Sequence, residues 1–158
     1  MSTHNITPCL WFDKEAEEAA KLYTSIFKDS KITQTTRYGK EGFEFHHQPE
    51  GTAMTVAFEL NGTKFTALNG GPLFKFNESV SFQIMCGTQE EIDHYWNSLT
   101  KDGGQESQCG WLKDKFGVSW QVIPTILPKL LSDPAKAPRV TSAFMKMKKF
   151  DIEALKNA

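Results

Sequence analysis

The chain has 158 residues, enough for a full hydrophobic core and most simply read as a single domain over 1–158. A formal net charge of −1 offers no field to draw nucleic acid or an anionic membrane. No apolar run is long enough to span a bilayer, and MSTHNITPCLWF at the N-terminus lacks the basic and apolar stretches of a signal peptide, so a cytoplasmic protein is expected. Cys9, Cys86 and Cys109 are odd in number, far apart and outside any CxxC pair, which predicts reduced thiols, two or more of them buried.

Taken in chain order, Ile6–Phe12 reads as a strand, with Thr7, Cys9 and Trp11 on one face. Asp13 is the expected N-cap of a helix whose first turn carries Glu15, Glu17 and Glu18, where the positive helix end favours acids. Ala16, Ala20, Tyr23 and Phe27 recur at helical spacing. Strands follow at Lys31–Tyr38, Ala53–Leu60 and Thr63–Asn69. The last two are joined by Asn61-Gly62, a two-residue hairpin turn in which both positions need positive φ. Between them, 39–51 is a polar, glycine-bounded flap. Its His46-His47 pair reads as loop histidines, because neighbours on an extended chain point apart and no partner ligand sits at motif spacing.

The second half repeats the pattern. Val80–Cys86 alternates as a strand, with Ser81, Gln83 and Met85 on one face. Thr88 and Glu91 form a capping box, Ile92, Trp96 and Leu99 make a stripe with Tyr95, and Gly103-Gly104 stops the helix. Short strands near Gln105–Cys109 and Trp111–Lys113 precede Val118–Pro124. On that last strand Ser119, Gln121 and Ile123 oppose Val118, Trp120 and Val122, and Trp120 reads as core. The tail 125–158 adds helical turns at Ile126–Leu131, at Val140–Met147 and around Ile152 and Leu155, with Pro134 and Pro138 as breakers. Each half thus reads strand, helix, strand, strand, strand, over about 5–70 and 79–124; a ferredoxin-like arrangement is the main competitor.

The segments ITPCLWFD at Ile6–Asp13, EEAAKLY at Glu17–Tyr23, ALNGGP at Ala67–Pro72, VSFQIM at Val80–Met85, DKFGVSWQVIP at Asp114–Pro124 and MKMKKFDI at Met145–Ile152 resemble, in order, the PhnB-like group. This group is also labelled 3-demethylubiquinone-9 3-methyltransferase-like. It lies within the glyoxalase/bleomycin-resistance/dioxygenase (vicinal oxygen chelate) superfamily. The resemblance implies an α+β fold of paired βαβββ modules forming an open curved mixed sheet around a cavity, with helices outside, a helical C-terminal tail and a homodimer. Metal-using relatives place ligands at positions that carry over to Ile6 or Thr7, Leu68 or Asn69, Ser81, and Gln121. None of these is an acid, imidazole or thiol, so no tightly bound transition metal and no cofactor is expected.

Thr7, Cys9, Trp11, Asn69, Ser81, Gln83 and Gln121 are therefore the candidate ligand-binding residues: a few directional donors in an apolar cup, suited to a small organic molecule. Cys9 has no neighbouring base or cation and reads as a small buried thiol rather than a nucleophile. Gly70-Gly71 does not stand between a strand and a helix in the GxGxxG order, which argues against a nucleotide-type cofactor loop and against methyl transfer. The leading expectation is a metal-free binding protein. The alternative is a glyoxalase- or dioxygenase-type enzyme with a weakly held divalent metal, and a structural dimer with a vestigial cavity is a third.

Overall fold

In the computed structural model residues 6–158 are described; the first five, which enter the signal-peptide reading and the start of the first module, lie outside them. The chain divides between Lys75 and Phe76 into two compact units.

The first unit runs β1 (Cys9–Phe12), α1 (Ala16–Ile26), β2 (Lys31–Arg37), α2 (Phe43–His46), β3 (Ala53–Leu60) and β4 (Thr63–Asn69). Its sheet has the order β1-β4-β3-β2, with β1 parallel to β4 and the other pairs antiparallel. The apolar stripe of α1 (Ala16, Ala19, Ala20, Tyr23, Ile26) is buried, as are Leu10, Phe12, Val56, Phe58, Phe65 and Ala67 of the strands. The sheet's other face, carrying Cys9, Trp11, Thr66 and Leu68, is more open. Asn61 and Gly62 have φ of 46° and 81°, as the hairpin reading requires.

The second unit repeats the plan with β5 (Phe82–Cys86), α3 (Gln89–Thr100), β6 (Gln105–Glu106), β7 (Trp111–Lys113) and β8 (Ser119–Pro124) in the order β5-β8-β7-β6. Here too the first and last strands pair in parallel. Ile92, Trp96 and Leu99 of α3 are buried, together with Ile84, Leu112, Trp120 and Val122 of the strands. Each βαβββ segment closes its own four-stranded mixed sheet, which sets aside the ferredoxin-like competitor. The tail forms α4 (Ile126–Leu131), α5 (Ala137–Phe144) and α6 (Ile152–Lys156). It is tied on by backbone bonds from Cys109 N–H to Met147 C=O at 2.8 Å and from Gly110 N–H to Lys148 C=O at 2.7 Å. The Gln89 side chain adds a bond to each side of Asp151, donating to Phe150 C=O and accepting from Ile152 N–H.

Five sequence expectations are corrected. Asp13 does not cap α1: Ala16 N–H is met instead by Asn69 Oδ1 at 2.8 Å, from across the sheet. Pro138 does not break a helix but opens α5, where its fixed φ and missing N–H cost nothing. The strand expected over Gln105–Cys109 stops at Glu106 because Cys109 and Gly110 turn with φ of 55° and 80°. Only Cys86 is fully buried; Cys109 is half-buried and Cys9 is exposed on the uncovered sheet face. The capping box is shifted by one residue: Thr88 Oγ1 accepts from Glu91 N–H, but the Glu91 carboxylate accepts from Gly87 N–H rather than from Thr88.

Burial, reinforced by Glu91, pushes the Cys86 thiol up to about 12 from an ordinary 9.0. The folded state therefore holds the neutral thiol, and stability falls as pH rises from 9 towards 12. With a thiol-reactive dye at pH 8, Cys86 is expected to stay unmodified until denaturant is added. Labelling of Cys86 in the native protein would contradict this.

Candidate functional site

On the second sheet, register builds an open polar face. Gln83, Gln121 and Trp111 are partners across β5, β8 and β7, and Ser119, Lys113 and Gln105 form the next row across β8, β7 and β6. Gln121 Nε2 donates to Ser81 Oγ at 2.7 Å, and Gln83 Nε2 reaches Gln121 Oε1 at 3.5 Å, the long limit of a hydrogen bond. The three candidate residues of this unit are thus brought together as one relay. Trp120 lies on the opposite, helix-packed face and is core, its indole N–H donating to Asp114 Oδ2 at 2.9 Å.

A cavity of about 390 Å³ opens on this face, with Trp111, Lys113, Ser119, Gln105, Ser107 and Glu78 among its walls. Lys113 pairs with Glu78 and holds that exposed carboxyl below its usual range. Ser119 Oγ is buried and, among the described residues, has no hydrogen-bond partner. Such an orphan hydroxyl costs about 1–3 kcal/mol. Sequence reasoning put Ser119 on this face but not in the site. Its orphan state, and its pairing with Lys113, are visible only once β7 is placed beside β8.

In the first unit Cys9 and Trp11 share the uncovered face, in register with Thr66 and Leu68. Thr7 is exposed and precedes β1. Trp11 is partly closed off: its indole N–H donates to Gly71 C=O at 2.8 Å and Phe74 meets it edge-on at 4.9 Å. Gly70 lies so close to the indole that a Cβ there would strike the ring. Asn69 faces the other way. Its side chain is spent on Ala16 N–H and Ala53 C=O, so Leu68, not Asn69, shares the face of Cys9 and Trp11. His46 rests on Tyr38 at 4.3 Å, accepts Gln48 N–H at Nδ1 and so donates from Nε2 to Glu41 C=O.

The donor chemistry does not suit a tightly held metal. Ser81 and Gln121 offer a hydroxyl and an amide already bonded to each other. Among the described residues no three His, Cys, Asp or Glu side chains converge as a metal-holding group. A nucleotide-type methyl donor does not suit the first unit either. The β1–α1 connection, Asp13–Glu15, has no glycine, and the first N–H of α1 is already taken by Asn69.

Two four-stranded mixed sheets of βαβββ modules define a glyoxalase/bleomycin-resistance-type fold. The model of the 3-demethylubiquinone-9 3-methyltransferase family matches residues 4–123, and the chain belongs to this PhnB-like family. A putative 3-demethylubiquinone-9 3-methyltransferase, PhnB protein, from Bacillus cereus is 34% identical, covering 77% of this chain and all of its own, with a TM-score of 0.69. A Pseudomonas aeruginosa protein of 18% identity (77% of this chain, 98% of its own, TM-score 0.61) shares the fold. So does the fosfomycin resistance protein FosX from Mesorhizobium loti at 11% identity (84% of this chain, 100% of its own, TM-score 0.57). No curated protein matches. The tail from Thr125 lies beyond the matched family segment. Among the described residues no helix is long and apolar enough to cross a membrane.

Proposed function

We propose that this protein binds a small organic molecule without a metal, using the open face of the second sheet. The observation that carries the reading is the Gln83–Gln121–Ser81 relay, which puts neutral amide and hydroxyl groups at positions where a metal-dependent relative needs ionised ligands. Neutral donors and acceptors on a half-open face orient a polar ligand at modest desolvation cost. Cys9 and Trp11 belong to the same reading as a secondary surface in the first unit; Asn69 does not, since its amide is engaged elsewhere. A homodimeric, cytoplasmic protein fits the reading; three free thiols support the reducing compartment alone. Methyl transfer, the activity in the family's printed name, is not part of it, and the competing activity is metal-dependent turnover.

A thermal-shift screen of EDTA-treated protein separates these. Divalent metals at micromolar concentration are expected to leave the midpoint unchanged. A true ligand at about 100 times its Kd stabilises by about 2.7 kcal/mol, a rise of roughly 5–10 °C for a chain of this size. Gln121→Ala should remove most of that rise while changing the free protein little. A large shift with stoichiometric metal would overturn the reading in favour of the enzyme.

A further inference from the structure

The relay leaves the next row of the same face unused. Ser119, Lys113 and Gln105 stand side by side there, one row from Trp111, and line the cavity of about 390 Å³ together with Glu78. That volume suits a small organic ligand. Buried hydroxyls are ordinarily satisfied, so the orphan Ser119 Oγ asks for a partner from outside the chain. Lys113 can only donate, and the Ser119 hydroxyl donates to any acceptor placed beside it. The two together call for an oxygen-rich anion.

The cavity also contains two acids, and they differ. Glu106 is committed: its Oε1 accepts Trp96 Nε1–H at 2.8 Å and its Oε2 lies 3.9 Å from Lys148. Glu78 is exposed, precedes β5 and places its carboxylate on the Lys113 ammonium. An exposed pair of this kind exchanges partners at little cost. Glu78 thus marks the place of a carboxylate on Lys113. Trp111, half-buried one row away, offers a flat surface for a ring attached to such a group.

We propose that this cavity takes a small planar carboxylate, held by Lys113 and Ser119 with its ring against Trp111, and that Glu78 is the internal carboxylate it displaces. The proposal rests on the metal-free binding reading and gives that reading a ligand class.

The test is calorimetric titration of EDTA-treated protein with benzoate, 4-hydroxybenzoate and indole-3-acetate, each beside its neutral amide. The acids are expected to bind at least about tenfold more tightly than the amides, the scale of one charge-assisted hydrogen bond. Lys113→Met should erase that preference. Glu78→Gln should tighten acid binding by about two- to fivefold, the scale of one exposed ion pair, a gain that misfolding cannot mimic. Ser119→Ala should weaken acid binding while leaving the thermal midpoint of the free protein unchanged or raised, because it removes an unsatisfied hydroxyl. Amides that bind as well as acids, Glu78→Gln that weakens binding, or no panel member binding at millimolar concentration would each overturn the ligand class. In those cases the metal-free reading still stands or falls on the thermal-shift screen. Acid binding that appears only after a divalent metal is restored would overturn both.

Discussion

Asp114→Asn is expected to lower the stability of the protein by about 3 kcal/mol or more. Asp114 is 3% exposed, and its carboxylate accepts from at least three donors. Oδ1 accepts the backbone N–H groups of Phe116 at 2.9 Å and Val118 at 3.0 Å, and Oδ2 accepts Trp120 Nε1–H at 2.9 Å. Two of these bonds set the turn between β7 and β8, and the third fixes the large core side chain of β8. An amide of the same shape must turn its NH2 group towards one set of donors, so a repulsive contact replaces an attractive one. Spread over a chain of this length, the loss should appear as a fall of roughly 6–12 °C in the thermal midpoint. The turn also sets the register that brings Lys113 beside Ser119, so the variant should lose carboxylate binding at temperatures where it is still folded. A loss below about 1 kcal/mol in urea unfolding would show that the turn holds without the carboxylate.

Gly110→Ala is expected to cost about 3 kcal/mol and to release the tail before the sheets. Gly110 has φ of 80°, which an L side chain rarely adopts. A Cβ there would stand 2.7 Å from the Val122 carbonyl oxygen and would strike the Phe150 ring. The neighbouring backbone has no freedom to yield, because Gly110 N–H bonds Lys148 C=O at 2.7 Å while its own carbonyl accepts Val122 N–H at 2.8 Å. The ring is the softer obstacle, so strain is relieved by moving Phe150. That movement carries away the bonds from Cys109 and Gly110 to Met147 and Lys148, and loosens the Gln89 clasp on Phe150 and Ile152. Limited trypsin digestion should therefore cut first at Lys146, Lys148 and Lys149 in the variant and not in the parent. Uniform destabilisation without early cleavage in the tail would show that the glycine serves the sheet alone.

Much of the fold was legible because local chemistry and tertiary context agree. Asn61-Gly62 specifies its turn through two positive φ angles, and β3 and β4 take the bounds that their alternation predicts. Ala16, Ala20 and Tyr23 of α1 and Ile92, Trp96 and Leu99 of α3 are buried as their spacing requires, while Phe27 falls just past α1 and is half-buried with Ile26 buried in its place. Strand parity puts Ser81 with Gln83 and Ser119 with Gln121, but only the pairing of β5 with β8 joins them as a relay. The site was legible only in part. Whether Leu68 or Asn69 joins Cys9 and Trp11 is a one-residue question, and one residue exchanges the two faces of a strand. No local pattern settles it. The answer comes from Asn69 meeting Ala16 and Ala53 on the helix side.

What the sequence determined by itself is the duplicated module, its helices and hairpin, and the lack of ionisable groups at the metal positions. These depend on residues close together along the chain or on residue identity alone. Tertiary structure decided what depends on distant partners: the cap of α1 from Asn69, the closing of Trp11 by Gly71 and Phe74, and the row in which Lys113, paired to Glu78, stands beside an unsatisfied Ser119. Apart from the Lys113–Ser119 pairing within one hairpin, contacts of that kind span tens of residues. They are set by which strands pair and in what register, and periodicity along one strand carries no information about its neighbour.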